Sequence, residues 1–246
     1  MNKEKINFLI NFIYESDLIE NIEDDRKLLK KQIIEQKQDG HVGAMLLLDR
    51  LADEKDKFLD KKLVLKIQEL ICSEQHFKTG GKKLKKKDIG QYRKTKVFVV
   101  SESFVFPIFG EGEKFLRLSK IISEAPSAKK VPKLMKKWIE DVMNWQKKTG
   151  KFSQEENVKK IADFHFEFEE IHPFIDGNGR TGRAFAYYML RHAGIEPFIF
   201  GAYDRTETYY PCFKDKIKME KYFYVRVFKQ DSILGRIETM SVGDFA

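Results

Sequence analysis

Apolar residues at Ile6, Leu9, Ile10 and Ile13, with Asn and Lys between them, have the spacing of one helical face, and Asn21 reads as the stop of that helix. Asp24 and Asp25 open a second helix carrying Leu28, Leu29, Ile33 and Ile34, and a third runs from Ala44 to Ala52 after Gly43. Leu63, Ile67, Leu70 and Ile71 mark a fourth within residues 60–75. The period then changes: VFVV and FVFPI, rich in β-branched and aromatic residues, flank the polar Ser101-Glu102-Ser103 and predict a β-hairpin over 96–108, with Pro107 on a free edge. Residues 109–130 carry Gly, Pro and Ser punctuation and a short helical piece.

Pro132 opens a helix through Lys147 with Leu134, Trp138, Val142 and Trp145 inward. Another, Gln154 to Glu170, sets Val158, Ile161, Phe164 or His165, Phe168 and Ile171 on one face, and after a loop a helix from about Gly179 to Ala193 ends at Gly194. Residues 205–219 predict one more helix, and from Val225 onward the YFYVRVF segment and tail have strand character. With no internal repeat or low-complexity linker, the pattern predicts a mainly α-helical domain with one hairpin.

Composition narrows the function classes. Of 246 residues, 42% are hydrophobic and 34% charged, enough for a sizeable core. No apolar stretch is long enough to span a bilayer and no leader is apparent, so the expectation is a cytoplasmic protein without membrane association. Cys72 and Cys212 are far apart, which argues against a disulfide framework or a zinc knuckle. The net charge of +8 is spread among acidic residues, and the one basic run, Lys82 to Lys87, reads as a solvated loop rather than a nucleic-acid contact.

The chemistry is concentrated in HPFIDGNGRTGR, residues 172–183. Gly177, Gly179 and Gly182 let a ligand approach the backbone, and residues from Asn178 on lead into a helix N-terminus, where free N–H groups favour an anion. Arg180 and Arg183 offer planar grips for phosphate oxygens, Asp176 a hard oxygen ligand for Mg²⁺ beside them, and His172 a base at neutral pH. Phe174 is the expected buried anchor. GNGR alone would read as a Gly-rich turn with surface arginines; the full string has a separate chemical use for each position. His165, Glu169 and His172 also repeat at i, i+4 and i+7, a zinc-like spacing, but His165 lies in the aromatic run FHFEF and is expected to be a core histidine.

The same residues resemble the signature of the Fic family, HPFx(D/E)GNGRxxR, at every fixed position. The resemblance extends back through Gly90 to Arg93 (GQYR), the hairpin and the Trp-containing helix, covering about residues 60 to 220. It implies a Fic-type helical bundle with a β-hairpin flap, and transfer of AMP from ATP, with Mg²⁺, to a Ser, Thr or Tyr hydroxyl of a target protein. His172 would deprotonate that hydroxyl, Asp176 would hold Mg²⁺, and Asn178 and Gly179 with neighbouring amides would form the anion hole. Arg180 and Arg183 would hold the outer phosphates, and Val97, Phe98 and Val99 of the flap would pair with the target as an added strand.

Ser16-Asp17-Leu18-Ile19-Glu20-Asn21 is similar to the inhibitory pattern (S/T)xxxE(G/N) of members whose inhibitory helix precedes the core, which implies that Glu20, with Ser16, pairs with Arg183. The implied division is 1–58, with the inhibitory helix around 5–21; 59–225, the catalytic core with the flap hairpin 96–108; and 226–246, a C-terminal tail. Self-modification and a homodimer are within the family's range. Rival readings are removal of AMP, transfer of another group such as UMP, and an ATP-binding interaction module without chemistry. Tyr209-Tyr210-Pro211-Cys212 resembles the family's adenine-side segment only loosely.

Overall fold

Helix α7, Asn178–His192, is buried on nearly every face, and the rest of the chain is arranged around it. The computed structural model of the protein describes residues 1–54, 56–73, 84–107, 115–203 and 205–229. In chain order these form α1 (Lys3–Ile19), α2 (Arg26–Ile34), α3 (Gly40–Asp53), α4 (Lys61–Ser73), β1 (Phe98–Pro107), β2 (Phe115–Glu124), α5 (Val131–Gln146), α6 (Gln154–Ile171), α7 and α8 (Lys216–Phe228). The architecture is mainly helical. Helices α1, α3, α4 and α6 pack on α7, and α5 and α8 pack on α6. One hydrophobic cluster runs from Leu9 to Phe223, so the N-terminal helices share their core with the rest.

Local signals explain most boundaries. Asn2 and Asp25 accept backbone N–H bonds at the starts of α1 and α2, and Ser153 with Glu156 closes a capping box on α6. Asn21 takes a left-handed φ of 59° just past α1. On α2 only Leu29 and Ile33 are buried; Leu28 and Ile34 face solvent. Trp138 of α5 is 2% exposed, packs on Phe168 and Phe185, and donates its indole N–H to the Phe164 carbonyl at 2.9 Å. Burying such a side chain contributes about 1.5–3 kcal/mol.

Several expectations are corrected. Gly43 does not precede α3 but lies inside it, where a Cβ would collide with the Gln38 backbone, so the glycine serves close packing. Residues 101–103 are not a turn: β1 runs through them and pairs antiparallel with β2, Ser103 opposite Ser119 and Pro107 opposite Phe115. The register shifts next to Val100, leaving Ser101 and Ile122 unmatched, so the polar stretch marks an irregularity within a strand. Among the described residues of 109–130, residues 115–124 are β2 and Ala128–Lys130 form a short helical turn.

Residues 205–219 are not one helix; a wide π-helical turn over Arg205–Tyr209 and a 3₁₀ turn over Tyr210–Lys214 precede α8. The YFYVRVF segment is helical, because Met219, Tyr222 and Phe223 form one buried face of α8 against α6. Helix α8 runs across the 225/226 division, and residues 230–246 of the expected tail lie outside the described residues. So do Lys82 and Lys83 of the basic run, whose Lys85 to Lys87 are exposed.

Candidate functional site

The loop joining α6 to α7 is shaped by its own polar side chains. Asn178 is 3% exposed; its Oδ1 accepts from the Phe174 N–H at 2.9 Å and its Nδ2 donates to the Phe174 carbonyl at 3.0 Å. The side chain thus closes the loop, and only its backbone N–H is left to an anion. Phe174 itself is fully buried against Tyr92 and Phe168. Gly177 caps α7 with φ 79° and no side chain caps the helix, so its first N–H groups, which have no intrahelical acceptors, form an uncapped positive end.

His172 ends α6 in a left-handed conformation, φ 47° and ψ 62°. Its Nδ1 faces the Glu169 carbonyl at 3.4 Å; a proton held there leaves the Nε2 lone pair as the acceptor. Burial pushes the imidazole down to about 4, the Glu169 carbonyl opposes this and the Arg93 charge adds to it, so His172 is neutral at physiological pH. Asp176 lies on the partly exposed rim with its Oδ1 at 2.5 Å from the Gly177 N–H and 3.9 Å from Arg180.

The glycines have different uses. A Cβ on Gly179 would overlap the Glu20 carboxylate, so this glycine lets a carboxylate reach the helix end. Gly182, expected among the nucleotide-binding residues, faces α6 instead, where a Cβ would overlap Glu169 Oε1. Gly177 sits against Cys72, a buried thiol whose pKa burial raises to about 12.

Arg180 and Arg183 of α7 are already engaged by α1. Arg183, 1% exposed, donates Nε to Ser16 Oγ at 2.9 Å and its NH2 to the Ser16 carbonyl at 2.9 Å and to Glu20 Oε1 at 2.8 Å. Burial works against its charge, but Glu20 outweighs it and raises the pKa. Arg180, 4% exposed, lies 3.7 Å from Asp17 Oδ1, and Asp17 Oδ2 is 2.8 Å from His41 Nδ1. Arg205 holds the end of α1 through the Leu18 and Ile19 carbonyls and Asn21 Oδ1.

Of the predicted residues, His172, Asp176, the α7 N-terminus, Arg180, Arg183, Ser16 and Glu20 therefore converge. Val97 precedes β1, and Phe98 and Val99 open it opposite Glu124 and Ser123. His165 is a core histidine, bonded at 2.9 Å to Tyr209 and pushed by burial to about 3. Sequence reasoning missed Asp17, Gln68 and the role of Arg93. Gln68 donates to the Asp176 carbonyl at 3.1 Å and accepts from Gly90; a glutamine on the apolar face of α4 was its available signal.

Among the described residues no three His, Cys, Asp or Glu side chains cluster as a protein cage for a metal. One rim carboxylate beside an anion-favouring helix end is instead the donor set that would suit Mg²⁺ carried largely by phosphate oxygens, for which Asp176 would be the protein ligand. No helix among the described residues is long and apolar enough to cross a membrane.

A family model described as Fic/DOC matches residues 58–190. Curated relatives called protein adenylyltransferase Fic, from Drosophila grimshawi and Drosophila mojavensis, are 44% and 41% identical over 53 residues, which is 22% of this chain and 11% of each of theirs. The chain thus matches about a tenth of those relatives' length. Among solved structures, a Fic domain containing signaling protein from Bacteroides thetaiotaomicron has a TM-score of 0.64 at 17% identity, over 92% of this chain and 85% of that one. Fic-1 of C. elegans has a TM-score of 0.59 at 15% identity, over 99% and 66%. At such identities the likeness is one of fold.

Proposed function

The chain belongs to the Fic/DOC family, and from that premise we propose that it is a protein adenylyltransferase that moves AMP from ATP to a hydroxyl of a target protein and is restrained by its own α1. The observation that carries this reading is a neutral histidine beside an uncapped helix N-terminus whose two buried arginines are occupied by acids of α1.

The ATP phosphates bind along the first turn of α7, where the N–H groups of Asn178 and Gly179 and the helix dipole offset their charge. Arg180 and Arg183 take the outer phosphates. His172 Nε2 accepts the proton of the incoming Ser, Thr or Tyr hydroxyl. The hydroxyl oxygen forms a bond to the α-phosphorus, the α-phosphorus–oxygen bond toward the β-phosphate breaks, and pyrophosphate leaves with that electron pair. Mg²⁺, held by Asp176 and the phosphates, would supply charge neutralisation of the leaving group. The hairpin of β1 and β2 serves as the flap, offering main-chain groups of residues 97–99 to an extended target segment.

Glu20 restrains the reaction because Arg183 cannot hold both its carboxylate and a phosphate oxygen. Self-labelling with ATP carrying label on the α-phosphate tests the reading: wild type weak, Glu20→Gly strong, His172→Ala absent. Incorporation from the γ- but not the α-phosphate would overturn AMP transfer. ATP binding without incorporation in all three would leave an interaction module instead.

A further inference from the structure

Arg93 does not reach the N-terminus of α7, yet its guanidinium joins the two halves of the site. It is 2% exposed. Nε donates to the His172 carbonyl at 2.7 Å, NH2 to the Ile171 carbonyl at 3.3 Å and the Pro126 carbonyl at 2.5 Å, and NH1 to the Thr95 carbonyl at 3.0 Å. Its own N–H bonds the Pro173 carbonyl at 2.9 Å. Thr95 leads into β1 and Pro126 follows β2, so both ends of the hairpin and the end of α6 share one cation.

The Ile171 and His172 carbonyls belong to the last turn of α6, where helical acceptors have no intrahelical donor. The left-handed backbone of His172 is strained for a residue with a Cβ and persists only where its surroundings hold it. A planar fork can serve four carbonyls in fixed directions, which the single nitrogen of a lysine cannot.

We propose that Arg93 is a positioning residue for the transfer, holding the base of the hairpin and the His172 backbone in one frame so that a target strand and the imidazole are presented together. This rests on the adenylyl-transfer reading and adds a coupling between hairpin and base to it.

The test is made in the Glu20→Gly protein, with Arg93→Lys and Arg93→Met. Turnover of labelled ATP is measured per folded molecule, alongside the titration of the His172 ring by NMR. With Arg93→Met, kcat falls on the order of 10²-fold, as for a displaced catalytic group, while KM for ATP changes less than about twofold. Arg93→Lys recovers part of kcat, and the imidazole midpoint rises in the methionine variant. Retained kcat with an unmoved midpoint would overturn the proposal, and if the methionine variant does not fold, the lysine variant carries the same readouts. Should the Glu20→Gly parent transfer nothing, the transfer reading fails, and the ring titration still decides whether Arg93 sets the environment of His172.

Discussion

Glu20 and Arg183 meet at 2.8 Å across the contact of α1 with α7, the guanidinium buried and the carboxylate about a third exposed. Removing one partner of a buried pair is costly, but here Ser16 keeps two bonds to Arg183 and solvent screens Glu20, so the cost is reduced to about 1–2 kcal/mol. Glu20→Gly therefore lowers the melting temperature of the nucleotide-free protein by a few degrees. Mg-ATP then restores more stability to the variant than to wild type, because phosphate replaces the lost acid. Thermal shift with and without Mg-ATP measures both; equal ATP-induced shifts would mean that Glu20 and the phosphates do not compete.

Asp17 would extend the proposed restraint to the second arginine, Arg180, at 3.7 Å. Burial raises its pKa, but His41 and Arg180 together outweigh this and leave it lowered, so it faces Arg180 as a carboxylate at neutral pH. Asp17→Asn keeps the shape and removes the charge, leaving Arg180 with Asp176 at 3.9 Å. Mg-ATP should bind several-fold more tightly, corresponding to about 1 kcal/mol, with a smaller gain in labelling than Glu20→Gly gives. Calorimetry decides the matter, and unchanged affinity would confine the restraint to Glu20.

The loop and its flanking helices were readable because their information is local: the 3.6 period of α6, the glycines, and a helix start marked by Asn178. The pairing of Glu20 with Arg183 was readable only through a resemblance, since 163 residues separate them. Asp17 was not legible, because a charged residue at the end of an amphipathic helix looks like solvent surface until Arg180 and His41 are seen to enclose it. β2 was hidden because Lys120 interrupts the alternation begun by Leu116 and Leu118. The aromatic YFYVRVF has strand propensity, and the packing of Tyr222 and Phe223 on α6 overrides it.

Gly182 shows how tightly α6 and α7 are fitted. In Gly182→Ala the new methyl meets Glu169 Oε1 and comes within 3.2 Å of the Phe168 ring, both held in the core. Overpacking of this kind costs about 1–3 kcal/mol. Denaturant unfolding should show that loss, together with reduced transfer in the Glu20→Gly background as α7 shifts away from His172. A variant as stable as its parent would mean that the interface has slack.

The acid limb of the transfer rate follows from His172. Burial lowers its pKa from the ordinary 6.5 to about 4, so the neutral base is already present well below pH 6. In Glu20→Gly, kcat/KM should be level between about pH 6 and 8 and fall only as pH approaches 4, within the range where the fold persists. A half-fall near pH 6.5 would show that the imidazole is solvated in the working enzyme.

Glu169 titrates in the opposite sense. Burial raises its carboxyl to about 8 from 4.5, partly offset by Arg183 and reinforced by Glu20, and its Oε1 has no hydrogen-bond partner among the described residues. The folded state then binds more protons than the unfolded chain between pH 4.5 and 8, so the slope of stability with pH is negative there. Below 4.5 both states are protonated and Glu169 contributes no pH dependence; the destabilisation grows as pH rises and is complete above 8. Glu169→Gln, neutral and of the same shape, removes that term. Its melting temperature should lie close to wild type near pH 5 and exceed it increasingly toward pH 8, and a difference that stays constant across the range would place the carboxylate in contact with solvent.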